Sequence, residues 1–130
     1  MTFNNITKNI NLNEFKELIN KVKENKYTIF LRFTADWCVP CKSIDDDCNK
    51  VLELLSDNIF YLEIDIDETM ELYAFFKKNK LLKGIPALYI YSYNNANNDE
   101  KWYLPEYSIN SANKEELNKF FGYLSKYIQQ

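Results

Sequence analysis

The stretch FTADWCVPCK, residues 33–42, decides the fold of this chain. It ends an apolar, strand-like run from Tyr27 to Phe33 and opens a helix-like segment. Two cysteines separated by two residues therefore stand where a strand gives way to a helix N-terminus. Because unpaired backbone N–H groups and the helix dipole favour an anion there, we expect Cys38 to form a thiolate more readily than a free thiol does.

The second cysteine of the pair completes a redox arrangement. Cys41, one turn further along the helix, is expected to be more buried and less acidic than Cys38. Pro40 fits the first helical turn, since its missing N–H would have no partner there in any case. One thiol is thus placed to attack and the other to resolve the product, which predicts dithiol–disulfide chemistry.

A Cys-x-x-Cys pair is also half of a common type of zinc site. Structural zinc takes four Cys or His ligands, commonly from two such pairs. This chain has no histidine and one further cysteine, Cys48. Four ligands from one chain would have to include carboxylates, which is unusual for structural zinc. We therefore predict redox chemistry and no metal site.

Cys48 lies on the same helical stripe as Cys41. The two are seven residues apart, a rise of about 10 Å along a helix, whereas a disulfide needs Cα atoms within about 7 Å. Since free cysteine behaves as a small hydrophobe, we predict that Cys48 packs in the core. The alternative is a regulatory thiol.

Two motifs together resemble a known family. Residues 37–42, WCVPCK, are similar to the Trp-Cys-Gly-Pro-Cys-Lys of thioredoxins, and residues 84–87, GIPA, resemble the family's Gly-Ile-Pro-Thr loop. The resemblance extends from about Leu12 to Ile128. It implies a thioredoxin-like three-layer α/β/α sandwich with a central mixed sheet and a cis-proline loop, in which Pro86 faces the dithiol.

The resemblance also implies how such a site works. Cys38 and Cys41 would act as the catalytic pair, with no cofactor besides the redox-active disulfide that they form. Pro86 would keep metals away from the thiols. An extended substrate segment would lie on an apolar shelf and pair with the backbone beside the proline. The predicted substrate-binding residues are Trp37, Val39, Pro40, Ile85 and Pro86.

Beneath the motif, two positions depart from the family. Thioredoxins usually carry a buried Asp six residues before the first cysteine and a Lys on the neighbouring strand that pairs with it. Here these positions are Arg32 and, by alignment, Glu63. Because a buried guanidinium without a partner is highly unfavourable, we predict a partly buried Arg32–Glu63 ion pair. Glu63 would then serve as the catalytic base that accepts the proton of Cys41.

An alternative stays open for this pair: it only neutralises itself, and Cys41 loses its proton to water. In either case Arg32 would be a modulating residue. A fixed cation near the dithiol favours thiolate, stabilises the reduced form and makes the disulfide more oxidising.

Periodicity predicts the order α-β-α-β-α-β-β-α. One helix is expected from about Cys38 to Leu55, with Asp46 where the family has a kinking proline. Asn110 or Ser108 replaces a glycine that usually lines the substrate groove, a change expected to narrow that groove. The other predicted elements are helices at Asn13–Asn25, Thr69–Lys80 and from Asn113 onward, strands at Tyr27–Ala35, Ile59–Ile66, Ala87–Tyr93 and Lys101–Ser108, and a polar loop at Asn94–Glu100.

Composition narrows the class of protein further. The chain has 130 residues, of which 46% are hydrophobic, so we predict a single domain over residues 1–130, with residues 1–11 as a short strand or a flexible N-terminus. A net charge of −3 argues against a nucleic-acid surface. No apolar run is long enough for a membrane span.

The N-terminal residues bear on localisation. Residues 1–13 are polar and rich in asparagine, and they lack the apolar core of a signal peptide. We therefore expect the cytoplasm or a similarly reducing compartment, or a virion if the source is viral.

Three functions are consistent with these residues. The first, which we favour, is a reductase of disulfide-containing proteins that an external reductase recycles. The second is an oxidase or isomerase of higher potential that an external oxidase recycles. The third is a thioredoxin-fold binding module with incidental redox activity. The intact Cys38 and Cys41 pair counts against the third.

Overall fold

The computed structural model describes residues 6–94 and 100–128. These residues form five strands and five helices. In chain order they are β1 (Ile6–Lys8), α1 (Leu12–Asn25), β2 (Thr28–Thr34), α2 (Val39–Ser43), α3 (Asp45–Leu52), β3 (Ile59–Asp65), α4 (Met70–Lys78), β4 (Ala87–Ser92), β5 (Tyr107–Ile109) and α5 (Lys114–Ile128). Most of the predicted loop Asn94–Glu100 lies outside the described residues, as do residues 1–5.

The strands form one mixed sheet in the order β1-β3-β2-β4-β5. Strands β1, β3 and β2 are parallel, whereas β4 is antiparallel to both β2 and β5. Central strands covered on both faces read as continuous apolar runs, and all six residues of β4 are accordingly buried. The mixed sheet between two helical layers is the architecture that the sequence predicts.

Alternation along β2 divides the core into two halves. Ile29, Leu31 and Phe33 pack with α1 and α4 on one face. Phe30 packs on the other face in a cluster that includes Cys48 of α3 and residues of α5. Arg32, two residues beyond Phe30, is therefore on the α3 side of the sheet, beneath the cysteines.

The start of α1 and the extent of β5 differ from the sequence-based expectation. Helix α1 is capped by Asn11 rather than Asn13, because Asn11 and Glu14 satisfy each other's backbone N–H groups in a capping box. Strand β5 covers only Tyr107–Ile109. The preceding residues turn instead, with the Leu104 N–H bonded to the Lys101 carbonyl, and Pro105 has no N–H for a strand ladder.

The prediction of one helix from Cys38 to Leu55 is wrong, because the helix is interrupted at Ile44. Ile44 has φ −107° and ψ 4°, and its N–H bonds the carbonyl of Cys41 in a tight turn. Asp45, Asp46 and Asp47 then form the first turn of α3. Carboxylates are favourable at a helix N-terminus, so these acids support a new helix start without a proline.

Within the described ranges, no helix is both long and apolar enough to cross a membrane.

Candidate active site

Cys38 and Cys41 form a disulfide at the start of α2, with Cα atoms 5.2 Å apart. Cys38 is the N-cap residue, and its Sγ accepts a hydrogen bond from the Cys41 backbone N–H at 3.2 Å. Cys38 is 4% exposed and Cys41 is completely buried. Pro40 lies in the first turn, where no intrahelical donor is needed. Cys38 is therefore the sulfur nearer to solvent and Cys41 the inner one.

The loop before β4 closes one side of the disulfide. The Ile85–Pro86 peptide bond is cis, as the resemblance implies. The Ile85 carbonyl oxygen lies 3.9 Å from the Cys38 Sγ. Two segments that are 47 residues apart in sequence thus meet at the outer sulfur.

The residues of the predicted substrate shelf differ in their exposure to solvent. Trp37 is 64% exposed and Val39 75% exposed, and Pro40 is exposed beside them. Ile85 is half-buried and Pro86 buried. The Trp37 indole N–H donates to Asp67 Oδ2 at 2.8 Å, which orients the ring. No local pattern pointed to Asp67, because it lies thirty residues away in the β3–α4 turn.

The sequence model of the family described as Thioredoxin matches residues 6–120. The chain belongs to the thioredoxin family. Thioredoxin H8 of Arabidopsis thaliana is 28% identical over 78 residues, which cover 60% of this chain and 49% of that protein. Mitochondrial thioredoxin-3 of Saccharomyces cerevisiae is 32% identical over 71 residues, covering 55% and 52% respectively. The chain thus spans about half the length of these curated relatives.

Solved thioredoxin structures share the fold over nearly the whole chain. Thioredoxin NaTrxh from Nicotiana alata superposes with a TM-score of 0.67 at 19% identity, covering 99% of this chain and 97% of that one. Thioredoxin PtTrxh4 from poplar gives a TM-score of 0.66 at 20% identity, with 93% and 96% covered. At these identities the likeness establishes the thioredoxin fold.

Arg32 has a different partner from the one that the sequence predicts. Its Nη2 donates to Asp45 Oδ1 at 2.5 Å and to the Cys41 carbonyl at 2.9 Å. The predicted Arg32–Glu63 ion pair is therefore wrong, although the two residues are register partners on β2 and β3. The long Arg32 side chain reaches instead across the sheet face to the first turn of α3.

Glu63 contacts Lys8 on β1 and Tyr61 on its own strand, β3. Its Oε2 lies 3.6 Å from the Lys8 Nζ, and its Oε1 accepts a hydrogen bond from the Tyr61 hydroxyl at 2.9 Å. Lys8 is its register partner on β1. Burial, followed by the nearby Glu63 charge, raises the pKa of Tyr61, so this hydroxyl remains a donor. Glu63 thus has a cation and a donor without Arg32.

The two carboxylates nevertheless share a cavity with Arg32. It has a volume of about 240 Å³, and its walls include Arg32, Thr34, Lys42, Asp45 and Glu63. A polar space of this size holds several waters. The Arg32 Nε is buried and has no hydrogen-bond partner among the described residues. The arrangement therefore offers a charged compartment next to α2 that is large enough for several waters.

Cys48 is a free cysteine and is fully buried. It belongs to the core cluster of α3 and α5, which confirms its predicted packing role. Burial raises the pKa of the Cys48 thiol to about 11, although Arg32 acts in the opposite direction. Burial alone would lower the pKa of Arg32, but Cys48, Asp45 and Tyr61 outweigh it and raise that pKa. Arg32 is therefore a permanent cation above a neutral thiol.

Proposed function

We propose that the chain is a thiol–disulfide oxidoreductase that reduces disulfides of protein substrates. The observation that carries this proposal is the Cys38–Cys41 disulfide at a helix N-terminus, with Cys38 against the Ile85 carbonyl. Such a position stabilises a thiolate on the outer sulfur. Family membership supports the same chemistry.

The reaction is a two-electron exchange. The Cys38 thiolate attacks one sulfur of a substrate disulfide, forms a mixed disulfide and releases the other substrate sulfur as a thiolate. The Cys41 thiol gives up its proton and attacks the Cys38 Sγ. This step forms the Cys38–Cys41 disulfide and releases the second substrate thiolate. An external dithiol or reductase must return two electrons before the next cycle.

For the proton of Cys41, Glu63 remains our proposed acceptor. Support for this role comes from the cavity that Glu63 shares with Arg32 next to α2. Water in such a cavity would carry the proton from the Cys41 thiol to Glu63. In the alternative route, the same water would take the proton to bulk solvent. The role of Glu63 thus rests on its charge and its place in the cavity, without an ion pair to Arg32.

The substrate is proposed to lie over the exposed part of the shelf. Trp37, Val39 and Pro40 offer apolar surface beside the outer sulfur, and Ile85 and Pro86 border it on the other side. A protein segment in extended conformation fits such a shelf by pairing its backbone with the loop. A reducing compartment, with an external reductase as recycling partner, is the matching environment.

Trapping tests the activity directly. A Cys41→Ser variant should accumulate a mixed disulfide with a disulfide-bonded protein such as insulin, whereas Cys38→Ser should form none. Cys48→Ala is the matched control and should reduce insulin like the wild type. If Cys38→Ser reduced insulin as fast as the wild type, the proposed role of this pair would be refuted.

The midpoint potential of the Cys38–Cys41 couple tests the direction of the reaction. Equilibration in thiol buffers, followed by alkylation and mass measurement, gives this potential. A midpoint potential of about −270 mV, the value of thioredoxin, would assign a reductase. A midpoint potential of about −180 mV or above would instead assign oxidation or isomerisation. In that case the buried Arg32 cation would favour the reduced form.

A further inference from the structure

Asn110 binds the loop that borders the active site through its whole side-chain amide. Its Oδ1 accepts hydrogen bonds from the backbone N–H groups of Lys83 at 2.6 Å and Gly84 at 3.3 Å. Its Nδ2 donates to the Gly84 carbonyl and, at 3.1 Å, to the Pro86 carbonyl. An Asn amide offers two donor hydrogens and two acceptor lone pairs. All four are used by one loop.

This loop has no regular structure of its own. Residues 79–86 lie between the end of α4 and the start of β4 without helix or strand pairing. Backbone groups in such a segment need partners from elsewhere. Asn110, which directly follows β5, supplies partners for Lys83, Gly84 and Pro86 and so ties this part of the loop to the edge of the sheet.

The pattern of these bonds leaves one residue of the loop out. Asn110 engages the backbone of Lys83, Gly84 and Pro86, but neither backbone group of Ile85. The Ile85 carbonyl is the group that lies against Cys38. The clamp therefore fixes the loop on both sides of Ile85 and presents the Ile85 backbone beside the outer sulfur.

We propose that Asn110 is a positioning and specificity-determining residue for disulfide reduction. Its amide holds residues 83–86 in the conformation that an extended polypeptide substrate needs, so binding does not have to order the loop. This role rests on the proposed function. Small disulfides, which need only the sulfur of Cys38, gain nothing from it. The clamp thus favours protein disulfides over small ones.

Asn110→Ala tests the role by separating KM from kcat. We expect KM for a protein disulfide to rise about tenfold while kcat stays within about twofold, since pre-organising a loop acts on binding. The rate with a small aromatic disulfide should change by less than about twofold. Asn118→Ala, the same substitution at an exposed position of α5, is the matched control and should leave both substrates unaffected.

A second variant and a second measurement keep the test independent of folding. Asn110→Asp keeps the size of the side chain and its acceptors but loses both donors, so it should raise KM for the protein substrate as well. Amide hydrogen exchange of Lys83 and Gly84 should be faster in Asn110→Ala than in Asn118→Ala.

The two possible failures can be told apart. An active wild type with an unchanged KM in Asn110→Ala would overturn the role of Asn110 and leave the proposed function standing. A wild type that reduces no disulfide would overturn the proposed function, and the role of Asn110 in reduction with it.

Discussion

Removing the partner of a buried cation gives the sharpest test of the packing beneath the active site. The Arg32 side chain is 4% exposed, whereas Asp45 is 51% exposed. The Asp45→Ala variant leaves the Arg32 guanidinium with two neutral neighbours, the Cys41 carbonyl and the Tyr61 hydroxyl, and removes its carboxylate partner. We therefore expect this substitution to destabilise the folded protein substantially.

The magnitude follows from the exposure of the two partners. Breaking a fully buried ion pair costs about 3–5 kcal/mol, and an exposed pair contributes about 0.2–1 kcal/mol. With one partner buried and the other half exposed, we expect a loss of about 2 kcal/mol in the free energy of unfolding. For a domain of this size, that loss corresponds to a fall in Tm of roughly 8 °C.

Asp47→Ala is the matched control. Asp47 also lies in the first turn of α3, but it pairs with Lys114, whose side chain is 68% exposed. Both substitutions remove one carboxylate from the same helix N-terminus, so the dipole contribution cancels in the comparison. For Asp47→Ala we expect a loss of about 0.5 kcal/mol.

Urea unfolding of the oxidised protein, followed by circular dichroism, measures both variants. The slope of the free energy against urea should stay constant, so that the midpoints compare directly. Equal losses in Asp45→Ala and Asp47→Ala would refute the reasoning, because Arg32 would then be stable without its carboxylate partner.

Three further predictions concern the proton, the buried thiol and the exposed indole. Glu63→Gln should slow the attack of Cys41 on a mixed disulfide at least about a hundredfold, the lower end of a general-base contribution, and leave formation of that disulfide unchanged; equal rates in rapid-quench measurements would contradict it. The raised pKa of Cys48 means that its stabilising effect is complete below about pH 9 and is lost as the pH rises towards about 11. The stability advantage of wild type over Cys48→Ala in urea unfolding should therefore shrink by about 2–3 kcal/mol between pH 8 and 11, and a constant difference would count against it. Asp67→Asn replaces the charged acceptor of the Trp37 indole, so KM for a protein disulfide should rise about twofold to threefold, with stability within about 0.5 kcal/mol; an unchanged KM would show that the ring needs no such anchor.

The active-site disulfide was predictable because its determinants are local. The Cys-x-x-Cys spacing, Pro40 in the first turn and the preceding apolar strand all act within about fifteen residues. The proline loop at residues 84–87 was recognisable from its resemblance to the Gly-Ile-Pro-Thr loop of thioredoxins. Cys48 followed from helical periodicity, which places it on a buried stripe even though the helix begins anew at Asp45. Spacing was sufficient for the redox pair and for Cys48.

The carboxylate partner of Arg32 could not be predicted from sequence spacing. The Arg32 side chain can extend towards Glu63 on the adjacent strand or towards Asp45 on the covering helix, and only the packing of α3 on the sheet brings Asp45 within 2.5 Å. The break at Ile44 sets that position of α3. Asp45, Asp46 and Asp47 look like a solvated face in sequence, yet two of them form ion pairs with distant residues.

The sequence by itself determined the redox pair and the packing role of Cys48, because cysteine spacing and hydrophobic period act over a few residues. Its two motifs indicated the thioredoxin-like fold through their resemblance to that family. The tertiary structure alone decided that Asp45 neutralises Arg32, that Lys8 and Tyr61 hold Glu63, and that Asn110 holds the loop around Ile85. These contacts join segments up to 55 residues apart. Long polar side chains have several possible partners in sequence, and only the folded arrangement of strands and helices selects one.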